Sequence, residues 1–480
     1  MKDVVIIGCG VTGAAMAYTL SKYDLHVTVL EQHNDVAAGT TKANSAIIHA
    51  GYDPEPGTLM AKLNVEGNRM AGEIAEKLTV PFRRVGSLVL AFSEADLLHI
   101  QKLYQRGIDN GVPGIELLSG EETLRREPAL SKEVCGSLWA PSAGVIDPWE
   151  YATAMAETAV VNGVELRLGT CVTGIEAKEE GFLLHTNHGE IETKYLVSAA
   201  GVEAAAVRSM LEEPDYRIIP SRGEYYLLDR SEGQLVNSVI FQCPNELGKG
   251  VLVSPTIHGN LIVGPNAVTS EDPGNMQVTA DGLKHIAAAA RKSVPGLNLS
   301  TNIRNFAGMR ANSEKDEFRI QRSEKYPNLI DLAGMKSPGL SAAPAVAEYA
   351  LELLKQAGLQ LSEKEEFIDR REKIRFAELN DTERAELIAR EPAYGRIICR
   401  CQTITEGEIL AALHSPIPPR SINAVKRRTG AGMGRCQGGF CSPRVHELIA
   451  RELGIDPLTV CLEDEGSELL VGETKMGGAQ

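Results

Sequence analysis

Apolar and polar positions near the start of the chain follow a strand–helix–strand order. Residues 3–8 form a short run rich in Val and Ile, which predicts a buried strand. Residues 12–23 place apolar side chains at helical spacing, and residues 26–30 return to a strand-like run. Two strands joined by a helix within about 30 residues predict the opening unit of a parallel sheet covered by helices.

The pattern changes along the chain. Residues 149–162 and 342–357 predict helices, and residues 195–201 predict a buried strand. Between residues 217 and 267, short strands with alternating apolar and polar positions predict an antiparallel sheet that forms a substrate domain. Residues 362–391 are dense in charge and predict a helical connector.

After Gly395 the composition shifts to cysteine, glycine and arginine. Thr405 and Glu408 have the spacing of a capping box, which predicts the start of a helix. A second helix is predicted to end at Gly454, so this region is expected to be a small helical module. Residues 461–480 form an acidic tail, which is glycine-rich and expected to be loose from Glu463 on.

Composition and charge narrow the function classes. The formal net charge of −15 and an aromatic content of 5% argue against nucleic acid as a partner. No apolar run has the length needed to span a bilayer, and Gly8 interrupts the first apolar run too early for a signal peptide. We therefore expect a cytoplasmic protein with no transmembrane segment, with a peripheral location at a membrane left open.

A glycine-rich turn follows the first predicted strand. Gly8, Gly10 and Gly13 have the G-x-G-x-x-G spacing: the first allows a tight turn, the second a close approach of pyrophosphate, and the third close packing of helix on strand. Glu31 ends the second strand, where a carboxylate can bind both ribose hydroxyls. These residues predict a dinucleotide site and leave NAD and FAD open.

Four of the nine cysteines are clustered. Cys399 and Cys401 form one pair, and Cys436 and Cys441 form another in a glycine-rich stretch. Four thiolates can bind either Zn²⁺ or an iron–sulfur cluster. Glycines beside the cysteines allow backbone amides to reach the sulfurs, and such hydrogen bonds tune redox potential. The basic residues around the cluster would offset the negative charge of either centre.

Several stretches resemble the D-amino-acid-oxidase-like superfamily of FAD-dependent oxidoreductases, over about residues 1–355. The cysteine region resembles a bacterioferritin-associated-ferredoxin-like [2Fe–2S] domain, and an upstream flavin favours this cluster over zinc. The stretches that carry the superfamily resemblance are residues 39–45, 47–51, 198–201, 217–226, 306–310 and 336–344.

The resemblance implies an α/β fold, α+β overall. A Rossmann-type FAD-binding domain (about 1–80, 145–210 and 300–360) would carry an inserted antiparallel-sheet substrate domain (about 81–144 and 211–299). A helical connector (361–394) would lead to the [2Fe–2S] module (395–460). The FAD-contacting residues that it implies are Gly8, Gly10, Thr12, Gly13, Glu31, Thr40, Thr41, Asn44, Ser45, Val172, Gly201, Gly339, Leu340 and Ser341.

Four side chains are candidates for the chemistry. Arg310 corresponds to a substrate-anion arginine, because a planar guanidinium can bind a carboxylate or phosphate through two hydrogen bonds. Arg222 is a second anion candidate, and Lys336 could bind substrate or stabilise reduced flavin. His49 is the leading base, because an imidazole titrates near neutral pH. Ordinary ion pairs and packing are the structural alternatives for these residues.

The expected reaction is oxidation of a small anionic secondary alcohol, with electrons leaving through the cluster to a partner. The whole layout resembles the catalytic subunit of anaerobic glycerol-3-phosphate dehydrogenase, and Lys336 agrees with that. Residues 49–52 and 220–225 resemble L-2-hydroxyglutarate dehydrogenases instead. An amine or amino-acid substrate, such as proline, sarcosine or an opine, and a non-catalytic electron-transfer subunit are further alternatives.

Overall fold

The first two strands of the structure lie where the hydrophobic pattern at the start of the chain predicts them. A computed structural model describes residues 1–244 and 250–472. Residues 245–249 of the predicted substrate domain and 473–480 of the predicted tail lie outside the described residues. The strands are β1 (Lys2–Ile7), β2 (Val27–Leu30), β3 (Ile47–Ile48), β4 (Phe82–Arg84), β5 (Ser87–Ala91), β6 (Glu116–Ser119), β7 (Gly136–Ala140), β8 (Gly144–Ile146), β9 (Glu165–Arg167), β10 (Val172–Lys178), β11 (Gly181–Thr186), β12 (Gly189–Ser198), β13 (Ile218–Leu228), β14 (Val239–Gln242), β15 (Leu252–Pro255), β16 (Leu261–Gly264), β17 (Val268–Thr269), β18 (Asn302–Ser313), β19 (Arg319–Arg322), β20 (Leu329–Ala333), β21 (Ile397–Cys399) and β22 (Ile404–Thr405).

The predicted helices are present, with ends that move by a few residues. The first begins one residue earlier than expected and ends three earlier, at Leu20. Among the described residues, no helix combines the length and the apolar character needed to cross a membrane. The helices are α1 (Val11–Leu20), α2 (Leu59–Lys77), α3 (Glu94–Asp109), α4 (Gly120–Arg126), α5 (Pro148–Val161), α6 (Ala204–Ser209), α7 (Ala280–Ser293), α8 (Gly339–Gln356), α9 (Asp381–Arg390), α10 (Glu406–Leu413), α11 (Ile422–Thr429) and α12 (Ser442–Leu453).

The first of two structural units comprises residues 1–30, 37–167 and 171–371. Its parallel sheet has the strand order β20–β12–β1–β2–β9, and β10 and β11 extend it as antiparallel strands. Helix α1 is buried along its whole length and packs against α5 and α8. Strands buried on both faces are typical of such helix-covered parallel sheets, so the predicted Rossmann-type core is confirmed.

The second sheet of this unit is large and mostly antiparallel. Its order is β17–β13–β16–β15–β14–β5–β7–β6, and β18 pairs with β13 along nearly its whole length. Residues 302–313 therefore belong to this sheet, although we assigned 300–360 to the nucleotide-binding region. The difference arises from strand pairing: β18 pairs with β13 from Ile218 to Leu228, and this pairing between distant segments is not visible in the local sequence.

The connector predicted over residues 362–391 is helical only at α9 and at a 3-10 turn, Phe376–Glu378. Residues 363–371 run as an extended segment that contacts α5. Ile368 exchanges two hydrogen bonds with the side chain of Asn162. Arg371 donates to the buried carboxylates of Glu150 at 2.9 Å and Glu157 at 2.8 Å. These tertiary contacts satisfy the charges and backbone groups of the segment, so the charge pattern does not produce a helix there.

The second unit comprises residues 31–36, 168–170 and 372 onward. Its apolar core includes Ile409, Val425 and Ile449, one from each of α10, α11 and α12. The capping box predicted at Thr405 and Glu408 is present and begins α10, as expected. The predicted helical module is therefore confirmed.

The first part of the predicted tail is not loose. Residues Cys461 and Glu468 form a β-bridge. Asp464 lies 2.9 Å from the ring of His33, and the carboxylate of Glu463 accepts a hydrogen bond from Asn423 at 2.6 Å. The expectation of a loose tail is therefore wrong for residues 463–468, because their acidic side chains have basic and polar partners within the unit.

A buried ion-pair network joins two parts of the second unit. Asp35 accepts hydrogen bonds from Arg428 at 2.7 and 2.9 Å and from Arg427 at 2.9 Å. All three side chains are buried. Burial alone would raise the pKa of Asp35, but the two guanidinium groups lower it below its ordinary value. The carboxylate is therefore charged at neutral pH and fastens residues 31–36 to α11.

We expect Asp35→Asn to destabilise the second unit by about 3–5 kcal/mol, because it removes the counter-charge that two buried cations share. The pKa of Asp35 is lower in the folded protein than in the unfolded chain. The Asp35 carboxylate therefore gives its full stabilisation at pH values above the unfolded-state pKa, and this stabilisation is lost as the pH falls through the folded-state pKa. Thermal unfolding at several pH values measures this difference. It should stay constant near neutrality and shrink below about pH 4. Asp281→Asn, at a fully exposed side chain, is the matched control; an equal effect there would contradict the prediction.

Candidate functional site

The turn between β1 and α1 is shaped to bind an anionic group. Gly8 has a φ of +95°, and a Cβ there would lie 2.6 Å from the carbonyl oxygen of Ala199. A Cβ on Gly13 would lie 2.0 Å from the carbonyl oxygen of Gly8, so only glycine lets α1 approach β1 this closely. Helix α1 begins at Val11, which places its free amides and positive dipole end at the turn. The turn therefore fits a dinucleotide pyrophosphate.

The loop at residues 40–45 is anchored to this turn and to β18. The amide of Val11, which follows the N-cap Gly10, donates to Oγ1 of Thr41 at 2.9 Å. The hydroxyl of Thr40 donates to the carbonyl oxygen of Met309 at 2.7 Å. Thr40 and Thr41 therefore fix the loop between the nucleotide-binding turn and the strand that carries Arg310.

Two further residues of this loop were predicted to contact the cofactor. Asn44 donates to the carbonyl oxygen of Thr41 at 2.8 Å and accepts from the amide of Ala46 at 2.7 Å. The hydroxyl of Ser45 lies 3.3 Å from that of Tyr225 on β13. The side chain of Asn44 thus stabilises the conformation of the loop. The contact between Ser45 and Tyr225 shows that the loop lies against the face of β13 that carries Tyr225.

Arg310 lies on that same face. It pairs with Ser221 across β13 and β18, and its guanidinium donates to the Ser221 hydroxyl at 3.4 Å and to the carbonyl oxygen of Asn266 at 3.1 Å. Gly223 makes room for it, because a Cβ there would lie 2.3 Å from Nη2 of Arg310. The hydrogen-bond partners of this guanidinium are neutral oxygens, so its positive charge is available to an anionic ligand.

The structure does not bring Arg222 to Arg310. Neighbouring residues of a strand point to opposite faces, and Arg222 shares its face with Glu224. Its guanidinium lies 3.3 Å from the carboxylate of Glu224 and donates to the side chain of Asn275 at 2.7 Å. The side chain is also buried. This placement favours the structural alternative, a buried ion pair under α7, over substrate binding.

His49 lies where β3 meets the first turn of α8. Its ring Nε2 is 3.0 Å from the hydroxyl of Ser337, and its backbone amide donates to Oγ of Ser341 at 2.7 Å. The ring also stacks on Phe241, with centroids 5.8 Å apart. The imidazole is therefore held in one orientation. Sequence reasoning missed Ser337, whose only signal is its position in the loop that carries Lys336.

Lys336 lies in the same loop as Ser337. Its side chain is 7% exposed and forms an ion pair with Asp316, which is itself 77% exposed. Asp316 gave no signal in the sequence. Residues 339–341, the predicted last flavin loop, form the first turn of α8. The structure thus brings His49 together with this helix N-terminus and with Ser337, the neighbour of Lys336, and the roles of His49 and Lys336 in the reaction stay predictions.

The remaining predicted cofactor residues lie at strand ends and helix starts. Val172 begins β10, Gly201 follows β12 with a φ of +59°, and Thr12 is buried in the first turn of α1. Glu31 follows β2 and belongs to the second unit, where its carboxylate accepts from the amide of His33 at 3.0 Å. Their contacts with a cofactor stay predictions.

The four clustered cysteines form two close sulfur pairs. The sulfurs of Cys401 and Cys436 are 3.5 Å apart, and those of Cys399 and Cys441 are hydrogen-bonded. Among residues 1–244 and 250–472, no three Cys, His, Asp or Glu side chains are arranged to bind one metal ion. A two-iron cluster distributes four thiolates over two metals, whereas zinc requires them around one. The pairwise arrangement therefore fits a [2Fe–2S] cluster better than zinc.

Backbone amides reach the sulfurs, as the glycines in this region predicted. The Cys441 thiol, together with amides that include that of Gly432, lowers the pKa of Cys399 to about 6 although burial opposes it. The amide of Phe440 is the main cause of a lowered pKa at Cys436. Gly434 leaves room for the Cys401 side chain, because a Cβ there would lie 2.4 Å from the Cβ of Cys401. Such hydrogen bonds stabilise thiolates, the form that binds iron.

We expect Gly13→Ala to weaken binding of the nucleotide cofactor by about 1–3 kcal/mol, because the added methyl group would collide with backbone and push α1 away from β1. The ratio of flavin to protein absorbance in the purified protein measures this loss. Gly296→Ala is the matched control, since no atom lies within 4 Å of the point that a Cβ on Gly296 would occupy and the residue lies outside the predicted cofactor loops. Equal cofactor content in both variants would contradict the role of Gly13.

Comparison with known families identifies the fold and the cofactor of the first unit. The family model described as FAD dependent oxidoreductase matches residues 3–353. The chain belongs to this family. The predicted superfamily resemblance and the choice of FAD over NAD are therefore confirmed, and the glycine turn of this FAD-dependent oxidoreductase is the expected pyrophosphate site.

The cysteine module also matches a known family. The model for the BFD-like [2Fe-2S] binding domain matches residues 397–451, which include all four clustered cysteines. The oxidoreductase therefore carries a [2Fe–2S] module, and zinc, the alternative left open by cysteine spacing, is not supported.

Three similar proteins place the chain more narrowly. It is 49% identical to the glycerol 3-phosphate dehydrogenase of Caloramator mitchellensis, over 99% of both chains. It is 33% identical to an L-2-hydroxyglutarate dehydrogenase of Escherichia coli, over 56% of this chain and 64% of that one. Among solved structures, the FAD-bound L-alpha-glycerophosphate oxidase of Mycoplasma pneumoniae superposes with a TM-score of 0.73 at 34% identity, covering 77% of this chain and 98% of the oxidase.

Proposed function

We propose that this oxidoreductase converts glycerol 3-phosphate to dihydroxyacetone phosphate and passes the electrons through its [2Fe–2S] cluster to a partner protein. The observation that carries this proposal is the 49% identity to a glycerol 3-phosphate dehydrogenase over 99% of both chains, which includes the cluster module. The Mycoplasma pneumoniae oxidase, by contrast, matches over 77% of this chain and 98% of its own.

Arg310 is the residue we assign to the substrate phosphate. Its guanidinium lies on the sheet face that contacts the loop at residues 40–45, and its present partners are neutral oxygens of Ser221 and Asn266. A phosphate can replace these weak contacts with two charge-assisted hydrogen bonds. The phosphate end of the substrate would thereby be fixed and its hydroxyl end directed away from Arg310.

His49 is the residue we assign to the substrate hydroxyl proton. The Ser337 hydroxyl and the Phe241 ring hold its imidazole in place, and a ring held in one orientation can accept a proton from a bound hydroxyl. When bound, FAD supplies the acceptor for the hydride from the substrate carbon. The amides at the start of α8 place partial positive charge in the same region, where they favour an anionic ligand, whereas the ammonium of Lys336 is paired with Asp316.

Anaerobic titration of the oxidised protein tests the proposal. Glycerol 3-phosphate, L-2-hydroxyglutarate and L-proline are added separately under nitrogen, and absorbance of the flavin band is followed. We expect bleaching by glycerol 3-phosphate at the lowest concentration. Bleaching by L-2-hydroxyglutarate alone would support the second candidate, which the similarity to the Escherichia coli enzyme favours. Bleaching by proline alone, or by none of the three, would overturn both.

We expect His49→Asn to lower kcat by about 100-fold while KM changes by less than about 3-fold, because the base acts on the reacting proton and the phosphate is bound elsewhere. Stopped-flow reduction of the flavin by substrate measures the step directly. His185→Asn, on β11, serves as the control, because its ring pairs with Glu176 at the protein surface. A normal rate of flavin reduction in His49→Asn would exclude this histidine as the base.

A further inference from the structure

The cluster site has one buried side and one exposed side. Cys399 and Cys441 are buried, whereas Cys401 and Cys436 are exposed. The two exposed sulfurs lie 3.5 Å apart. A cluster held by these four cysteines would therefore have an edge at the protein surface, where electrons can leave by a short path.

An aromatic ring and two arginines surround this edge. Phe440 is 54% exposed, and the guanidinium of Arg400 lies over its ring at 4.5 Å from the centroid. Arg435 is also exposed and directly precedes Cys436. Exposed aromatic residues and arginines are enriched at protein–protein interfaces, and a large apolar ring in water is otherwise unfavourable. We define the docking edge as Arg400, Cys401, Arg435, Cys436 and Phe440.

The charge of this module is opposite to that of the whole chain. Residues 397–451 contain eight Lys and Arg and three Glu, although the chain has a net charge of −15. The three acids are engaged: Glu406 pairs with Arg451, Glu447 with Arg444, and Glu408 forms the capping box of α10. Two further bases, Arg427 and Arg428, are buried and paired with Asp35, so the charge exposed at the cluster comes from Arg400 and Arg435. The edge itself carries arginines and no acidic residue. A basic patch in an acidic protein selects for an acidic partner and steers its approach.

We propose that the docking edge is the binding surface for a small acidic one-electron carrier protein. This proposal rests on the proposed function, in which the cluster delivers electrons to a partner. In each encounter the reduced cluster loses one electron and the oxidised carrier gains it. Oxidation of one substrate molecule reduces two carriers and releases two protons to solvent. The complex should be short-lived and salt-sensitive, because charge steering raises the association rate more than the affinity.

Charge reversal at the edge tests the proposal in the holoenzyme. The double variant Arg400→Glu/Arg435→Glu is compared with wild type and with Arg125→Glu, an exposed arginine on α4. The acceptors are an acidic [2Fe–2S] ferredoxin chosen with a reduction potential above that of the substrate couple, basic cytochrome c and a neutral quinone. We expect kcat/KM for the ferredoxin to fall by about 10-fold or more and its dependence on ionic strength to flatten. The rate with cytochrome c should rise, and the rate with the quinone should stay unchanged.

Other outcomes would overturn the proposal. An unchanged rate with ferredoxin would exclude the edge as its binding surface. An equal loss with ferredoxin and quinone, together with loss of the cluster signal in electron paramagnetic resonance, would show a structural role instead. Sedimentation showing that the variant alone becomes monomeric would assign the edge to a second copy of this chain. In a separate experiment the enzyme is reduced with dithionite before it is mixed with ferredoxin, so electron transfer to ferredoxin is measured without the substrate. A wrong substrate assignment would then leave this result unaffected, and the two proposals can fail independently.

Discussion

The Cys436→Ser variant is expected to reduce its flavin with substrate at the wild-type rate but to pass electrons to a one-electron carrier at least about 100-fold more slowly. Cys436 belongs to the exposed sulfur pair, and the amides around it stabilise its thiolate. Serine removes that ligand without changing the size of the side chain much. Iron content, the paramagnetic signal of the reduced protein and stopped-flow flavin absorbance measure the three parts of this prediction.

Cys461→Ser provides the control for the loss of a thiol from the same unit. Its sulfur contacts the carbonyl oxygen of Thr459 and the carboxylate of Glu468, outside the four-cysteine cluster. We expect normal iron content and normal electron transfer in that variant. Should Cys436→Ser keep two irons per chain and a wild-type transfer rate, the double variant Cys399→Ser/Cys436→Ser decides the matter, because a cluster cannot keep its full set of ligands when both are absent.

The Arg310→Ala variant is expected to lose about 3 kcal/mol of transition-state binding, or about 100-fold in kcat/KM, mainly through KM. The guanidinium provides a planar pair of donors, and its present partners are the neutral oxygens of Ser221 and Asn266. Arg310→Lys keeps the charge but loses the paired donors, so an intermediate loss of about 10-fold is expected. Steady-state kinetics with glycerol 3-phosphate and a small acceptor measure both variants.

Arg222→Lys is the matched control for Arg310. It retains a positive charge beside Glu224, on the opposite face of the same pair of strands. We expect a KM within about 2-fold of wild type, because in our proposal the substrate binds on the Arg310 face of these strands and not on the Arg222 face. A larger rise in KM in Arg222→Lys than in Arg310→Lys would contradict our proposal, because the substrate anion would then bind on the Arg222 face. An unchanged KM in Arg310→Ala would remove Arg310 from the substrate site.

Local sequence was sufficient wherever the determinant is a short-range contact. The glycine turn is one example: Gly8 and Gly13 are five residues apart and in direct contact, and their spacing alone requires the absence of a Cβ. The capping box at Thr405 is another, because its two hydrogen bonds connect residues three apart. The four cysteines and their glycines also lie in two short segments, so a four-thiolate site was evident before the structure, although cysteine spacing alone left zinc and an iron–sulfur cluster open.

Long-range contacts decided the rest. The pairing of β13 with β18 determines that Arg310 and Arg222 lie on opposite faces, and no property of either arginine alone reveals that register. The charged segment before α9 is extended because Glu150 and Glu157 of another helix bind Arg371.

The sequence by itself therefore located the dinucleotide site and the four-cysteine site, because the residues that form each are grouped locally, and family resemblance then selected FAD over NAD and [2Fe–2S] over zinc. Only the tertiary structure decided which charged side chains remain available for ligands. The sequence alone does not show whether a charged residue has an ion-pair partner. Its role depends on whether a counter-charge from a distant segment, such as Glu224 for Arg222 or Asp35 for Arg428, lies within hydrogen-bond distance.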